Sequence, residues 1–421
     1  ITCGGHYHSY IWLYYMTRFP DQRIDIFNEG VGGDVAEMIY QRLDKVFEHE
    51  PTVVTLSFGM NDVGYMDFRK PGADTIARNR VEKACRDYAL IEEVYKKYPE
   101  VRKILIGSSP YDETSRFNKV AGKNTPILEI VDFLNARARE NQWGFVDFNR
   151  PMVAINQWEQ AADSMYTLCG KDRIHPSTDG HLVMAYLFLK AQGLAGKPVA
   201  DIRIDGAGKK VTRSDNCRVS DLSVSSDNLT FTYEAKSLPY PIDTSYYDNE
   251  KHTQADALSV IPFMDEMNYE GLSVSGLSDG YYGLTIGGEF IGRFTARELE
   301  RGINMALLQN TPQYKQAMKI RQMNEERWLK ERKMREFYWV EYNLMRKTGM
   351  LWACNEAAVD TLRKYRPHDI FLQWNGDLWL QYMHKGIRED CVNEQQDLVN
   401  QIYEQNKPIP LRIEIKKFTD L

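Results

Sequence analysis

Asp172 and His175 stand three residues apart in the stretch KDRIHPS, directly ahead of Pro176 and a helical pattern. A histidine with a pKa near neutrality can take a proton from a hydroxyl and return it to a leaving group. A carboxylate three residues earlier on a tight loop can hold the Nδ1–H and fix the tautomer. Two other stretches offer hydrogen-bond donors. NEGVGGDVA carries Asn28, Gly30, Gly32 and Gly33, and FGMND carries Gly59, Asn61 and Asp62. A glycine at a strand-to-helix turn presents a bare backbone N–H to a developing oxyanion, and Asn61 can add a side-chain N–H at the same point. Losing one such donor costs about 10²–10³ in turnover. These are the parts of an acyl-transfer site without its nucleophile. Gly30 and Gly32 read equally well as plain turn formers, and Asp62 as a structural residue near a helix start.

Each stretch falls at the end of an expected strand. RIDIFNEGV reads as a short strand ending in glycines, followed by the helical pattern DVAEMIYQRLDKVF. TVVTLSFGMND is a continuous apolar run of the kind buried on both faces of a sheet. From Asn79 to Lys97 the spacing is helical, with Val81, Ala84, Cys85, Tyr88 and Ile91 on one stripe. RKILIGSSPY and GFVDF are further strands, and ILEIVDFLNARARENQ and HLVMAYLFLKAQGL further helices. Such alternation predicts an α/β fold, a three-layer α/β/α unit around a parallel sheet. Active sites in such sheets lie at the carboxyl ends of the strands.

In order and approximate spacing, the three stretches resemble the blocks of the SGNH/GDSL hydrolase superfamily, with its flavodoxin-like fold. The resemblance covers about 195 of 421 residues. It implies that Gly33 in GVGGD carries the backbone oxyanion donor and Asn61 in GMND the side-chain donor. Asp172 and His175 become the D-x-x-H pair. The family's first block commonly reads G-D-S-I-T and this chain begins IT. The resemblance therefore implies a nucleophilic serine immediately before Ile1, at the end of an upstream strand, and any signal peptide would lie further upstream. His6 and His8, just after that position, line the substrate pocket or else face solvent.

After GKPVADIRIDG the texture changes. Residues 198–295 read as a small antiparallel, β-sandwich-like domain, and residues 296–421 as a helical extension with a long helix over about 313–347 and another over about 378–404. YYGLTIGGEFIGRFTARELERGINMALLQNTPQYKQA resembles extensions that follow the catalytic unit in bacterial SGNH enzymes, which fixes no activity for it. The long helix carries ten Lys or Arg against five Glu between Gln313 and Lys347, the mark of a solvated helix backed by a core. Trp374 and Trp379 are either buried at a domain seam or a sugar-stacking platform. His181 is expected on its helix's packing face or as a cap.

Composition narrows the function. At 43% apolar and 27% charged residues the chain is of ordinary globular kind. A net charge of −6 argues against nucleic-acid binding through general basicity, and no apolar run is long enough to span a membrane. Six scattered cysteines without a C-x-x-C pair leave room for one disulfide and give no support for a zinc site. His368 and His384 have no ligand-like partners, and GVGGD is no nucleotide fingerprint, so neither metal nor cofactor is expected. The reading is a serine esterase acting on an O-acyl, chiefly O-acetyl, ester of a carbohydrate, placed in the periplasm or outside the cell. A lipid or aryl ester is the second reading. A degenerate, non-catalytic glycan-binding scaffold is the third.

Overall fold

In the computed structural model, which describes residues 1–116, 121–245 and 252–418, the first unit is built on a three-stranded parallel sheet. Its strands β1 (Val53–Phe58), β2 (Arg102–Gly107) and β3 (Gly144–Asp147) lie in that order. Around it run α1 (His6–Arg18), α2 (Ala36–Tyr40), α3 (Leu43–Phe47), α4 (Ala73–Lys96), α5 (Thr125–Glu140), α6 (Asn149–Gln160) and α7 (Thr178–Ala191). The two-residue period of β2 shows why layers form. Ile104 and Ile106 pack with Tyr7, Ile11 and Leu13 of α1 and Leu182 of α7. Leu105, between them, packs with Tyr88 of α4 and Leu134 of α5. The three-layer α/β/α expectation holds.

Two expectations at the sheet edge do not. Residues 23–31 form no strand. The Ile24 N–H donates to Tyr403 Oη at 3.0 Å and the Ile24 carbonyl accepts from Trp12 Nε1 at 2.7 Å. Side chains thus satisfy backbone groups that a ladder would have used. The run TVVTLSF is not buried on both faces either: Val54, Leu56 and Phe58 are buried, whereas Val53 and Thr55 are exposed.

The second unit is a sandwich. Its strands are β4 (Ala200–Asp205), β5 (Lys210–Asp215), β6 (Cys217–Val224) and β7 (Asn228–Ala235); then, past the short α8 (Phe263–Glu266), β8 (Glu270–Ser275), β9 (Tyr281–Ile286) and β10 (Glu289–Thr295). After α9 (Ala296–Arg301) comes the two-residue β11 (Ile303–Asn304). One sheet runs β11-β8-β4-β5. Its Ile202, Ile204, Leu272 and Val274 share a core with Leu229, Phe231, Leu284 and Ile286 of the other. That second sheet runs β10-β9-β12-β7-β6, and β12 is Leu411–Lys417. So a segment expected to be helical supplies the central strand, paired antiparallel with both β7 and β9. LRIEIKK alternates apolar and charged residues, the pattern of a strand rather than a helix.

Between β11 and β12 lie α10 (Pro312–Val340), α11 (Glu356–Tyr365), α12 (Ile370–Tyr382) and α13 (Lys385–Gln405). Thr311 caps α10, its hydroxyl accepting from the Tyr314 N–H, with Pro312 in the first turn. The helix ends sooner than expected, passing into a wider turn over Glu341–Met345, and the pattern over 378–404 breaks between α12 and α13. α10 is a core-backed helix with a solvated stripe, as expected, but that stripe does not hold all of its arginines. Arg327 and Arg335 are 1% and 2% exposed, inside the contact with α1. All six cysteines are free thiols, so the disulfide allowance goes unused. Among the described residues no helix is long and apolar enough to cross a membrane, and no group of three His, Cys, Asp or Glu side chains is arranged to hold a metal ion.

Candidate active site

The loop ahead of α7 fixes the D-x-x-H pair. Gly170 N–H donates to the His175 carbonyl at 2.7 Å, and Cys169 bridges Pro176 in antiparallel fashion. Arg173, at the tip, has φ +72°, a region sparsely populated by residues other than glycine. It is held there from two sides: its carbonyl accepts from Asp112 N–H at 3.0 Å and its guanidinium lies 3.4 Å from Asp112 Oδ2. Asp172 Oδ1 accepts from the backbone N–H of Ile174 and of His175 at 2.9 and 3.0 Å. Asp172 Oδ2 lies 2.5 Å from His175 Nδ1. Burial works against the Asp172 charge, but the histidine and the two backbone donors bring its pKa down to about 2. An ionised Asp172 keeps the proton on Nδ1 and leaves Nε2 as the basic nitrogen. Both side chains are half exposed, so the base sits in an open site.

The two donor stretches are tied to each other. Asp62 is a clasp: Oδ1 accepts from Ala36 N–H at 2.8 Å and Oδ2 from Gly59 N–H at 2.9 Å. Burial pushes its pKa up to about 6 although these donors pull the other way. This is the structural part expected of Asp62. Asn61 Nδ2 donates to the Asp34 carbonyl at 3.0 Å, which lays its amide against the backbone following Gly33. Gly33 has φ +84° with open space where a Cβ would stand, so glycine is demanded by conformation rather than crowding. Asn28 joins this loop to the chain start, its Nδ2 donating to the Thr2 carbonyl at 2.7 Å and its Oδ1 accepting from Gly30 N–H at 2.9 Å. Tyr65, four residues past Asn61, lies within electrostatic reach of Asp172, as does the backbone nitrogen of Ile1. The glycine loop is thus tied through Asn28 to the chain start, and Asp172 lies within electrostatic reach of the Ile1 nitrogen.

His6 and His8 part company. Two residues apart on α1, they sit about 200° apart around the helix. His6 packs with its ring centroid 5.0 Å from that of His181 and 4.6 Å from that of Trp328. His8 faces α10, beside Glu331, Arg327 and Arg335, where burial takes its pKa down to about 4. Its expected place in the pocket is not observed. His181 stacks on Tyr7 and is buried, as expected of a packing residue. Burial first, then His6, hold its imidazole well below the ordinary histidine range.

Sequence reasoning missed the brace behind this site. Trp328 Nε1 donates to the Gly4 carbonyl at 3.0 Å, and Arg335 donates to the carbonyls of Cys3 and Gly4. Further along, Trp339 touches Gly32: a Cβ on that glycine would stand 3.2 Å from Trp339 Cδ1. Arg42, which pairs with Asp34, lies over the Tyr342 ring at 5.8 Å. One helix and its continuation therefore support both the chain start and the glycine loop. Gly5 is where the fit is tightest, at φ +77° with a Cβ position 2.7 Å from Arg335 Nη2 and 2.9 Å from Trp328 Nε1. Gly5→Ala is expected to lower stability by about 2 kcal/mol or more, read as a fall in the unfolding midpoint. The only signal in the sequence was that Trp and Arg recur on a helix otherwise taken as solvated.

Comparison with known proteins gives the following. Residues 1–183 match the model of the GDSL-like lipase/acylhydrolase family, and residues 318–407 that of the diltiazem deacetylase C-terminal helical domain. The solved structure of BT4096, a gut microbial diltiazem-metabolizing enzyme, is 41% identical, with a TM-score of 0.95, over 99% of this chain and 95% of that one. An acetylxylan esterase from Geobacillus stearothermophilus is 19% identical with a TM-score of 0.36, over 44% of this chain and 80% of that one. LAE5, an alpha/beta hydrolase from the metagenome of Lake Arreo, Spain, is 24% identical with the same TM-score, over 44% and 81%. A comparison with curated proteins returned no match.

Proposed function

Because the chain belongs to the GDSL-like lipase/acylhydrolase family and is an ester hydrolase, we propose that it removes an acetyl group from an acetylated small molecule. The nucleophile in this proposal is a serine hydroxyl on the residue bonded to the Ile1 nitrogen. His175 Nε2 takes the hydroxyl proton as the oxygen attacks the ester carbonyl, and Asp172 stabilises the resulting imidazolium. The Gly33 N–H and the second N–H of Asn61 receive the carbonyl oxygen as it becomes negative. Collapse of that intermediate returns the proton to the departing alcohol and leaves an acetyl-enzyme. Water, deprotonated by His175, then releases acetate. The observation that carries the reading is the Asp172–His175 pair at 2.5 Å, which leaves Nε2 as the basic nitrogen.

The acyl and alcohol portions rest on likeness to BT4096, the 41%-identical diltiazem-metabolizing enzyme, and to the diltiazem deacetylase C-terminal helical domain. A carbohydrate O-acetyl ester, with the extracytoplasmic location that goes with it, is the second reading. It is favoured by the half-exposed His175, which leaves room for a bulky alcohol. The full-length protein is expected to release acetate from diltiazem and from p-nitrophenyl acetate. A fluorophosphonate is expected to form its adduct on the residue preceding Ile1. An adduct elsewhere, or none, overturns the mechanism, and acetate released from acetylated xylobiose but not from diltiazem selects the second reading. Asn61→Ala is expected to lower kcat by about 10²–10³ with little change in KM, the signature of a donor used only in the transition state.

A further inference from the structure

Away from the active site, one buried carboxyl has no charge to answer it. Glu270, the first residue of β8, is fully buried where the sandwich meets the start of α10. Its Oε1 accepts from Tyr233 Oη on β7 at 2.8 Å and from Gln313 Nε2, in the first turn of α10, at 3.2 Å. Its Oε2 and Gln313 Oε1 are both sealed from solvent, and among the described residues neither has a hydrogen-bond partner. Two acceptors cannot satisfy each other, and unpaired polar atoms in the interior are costly. Nor does any lysine, arginine or histidine among the described residues pair with the carboxyl. Tyr233 and, from β6, Cys217 are the titratable groups that face it, and burial holds both protonated. Arg18, at the end of α1, reaches Tyr233 rather than Glu270, and its Nη2 is spent on the carbonyls of Lys197 and Pro198. β4 places Ala200 beside Glu270, and Asn304 of β11 accepts the Glu270 N–H at 2.9 Å. Burial pushes the Glu270 pKa up to about 7, with its two hydrogen bonds pulling the other way.

We propose that Glu270 and Gln313 form a proton-held latch, in which a proton on Glu270 Oε2 is donated to Gln313 Oε1 and its loss frees the first turn of α10. One proton answers both unpartnered oxygens at once, because it turns Oε2 from an acceptor into a donor. The bond from Nε2 to Oε1 already holds acid and amide together, and the second bond closes them into a ring. Ionisation leaves both oxygens as acceptors and puts an unpaired charge in the interior. Water reaches that charge only if the turn carrying Gln313 moves away. The turn is otherwise held by its cap, where the Tyr314 N–H donates to the Thr311 hydroxyl at 3.3 Å and the Lys315 N–H to the Thr311 carbonyl at 3.0 Å. Further along the same helix, Trp328 and Arg335 hold the Gly4 and Cys3 carbonyls, so the latch secures one end of the brace behind the chain start. A carboxyl with its folded pKa raised from 4.5 to about 7 contributes stability that is present below about pH 4.5 and lost as pH rises through about 7. The latch stands apart from the esterase reading and survives its failure.

Thermal unfolding of the full-length protein between pH 5 and pH 8 tests it against Glu270→Gln, whose amide can donate to Gln313 Oε1 at any pH. The wild-type midpoint is expected to fall across that range. In Glu270→Gln it is expected to fall less than half as far, leaving the variant the more stable of the two at pH 8. Parallel declines in the two proteins overturn the latch, because other titrating groups would then account for the whole slope. Hydrogen exchange on the wild-type protein gives a second readout, which serves also if the variant does not fold. The amides of residues 315–319 are expected to lose about tenfold in protection between pH 6 and pH 8, after correction for the intrinsic rate, while those of α5 keep theirs. Protection unchanged at 315–319, or lost equally in α5, overturns the proposal.

Discussion

His175→Ala is expected to lower kcat for acetyl esters by about 10⁴-fold, the upper end of what a positioned general base supplies. The same nitrogen serves both half-reactions, so no step of the cycle escapes the loss. KM should change little, because His175 is half exposed and no packing depends on it. Asp172→Asn makes the complementary case. The amide retains the shape of the side chain but no longer holds the proton on Nδ1, and the loss is set by the wrong tautomer. With Asp172 also half exposed, solvent screens part of that effect, and about 10² is expected. Steady-state kinetics on p-nitrophenyl acetate reads both. Activity within tenfold of wild type in His175→Ala removes the mechanism.

Glu331→Ala is expected to give the largest loss of stability, about 3–5 kcal/mol by denaturant unfolding. Glu331 lies 2.9 Å from Arg335 and 3.2 Å from Arg327, and both guanidiniums are buried. Without the carboxylate, two positive charges and His8 face one another in the contact between α1 and α10. Burial alone would raise the pKa of Glu331, but Arg327 and Arg335 bring it down to about 2 from an ordinary 4.5. A depressed carboxylate pKa contributes stability fully above about pH 4.5 and loses it as pH falls through about 2. Wild-type stability should therefore decline over that window, and Glu331→Ala should show a shallower decline. Because Arg335 also holds the Cys3 and Gly4 carbonyls, the variant should lose activity before it unfolds.

How far the sequence could be read depended on whether neighbours were close along the chain. The pair Asp172 and His175, the period of KILIG and the stripe from Val81 to Ile91 are local patterns, and each appears where expected. The strand expected in RIDIF is not formed among the described residues, and Ile24 is bonded to Trp12 and Tyr403. Helix α1 carries no apolar stripe to recognise, since Ile11, Trp12, Leu13, Tyr14 and Met16 are all buried. The opposite assignments of His6 and His8 follow from helical geometry once that helix is known. Arg327 and Arg335 were read as solvated because arginine usually is. Their partners Glu331, Cys3 and Gly4 include groups more than three hundred residues away in the chain.

The placement of β12 sets an order of events during synthesis. Leu411 pairs with Tyr233 and Ile413 with Ile286, so the five-stranded sheet stays split into two halves until this strand leaves the ribosome. By then the helices that brace the catalytic loops have already emerged. Contacts of such long sequence separation form slowly, and the exposed edges of β7 and β9 are open to pairing with other chains in the interval. Recombinant yield should therefore be more sensitive to temperature and expression rate than the stability of the finished molecule suggests, and a chain ending between α13 and β12 should be recovered mainly as aggregate.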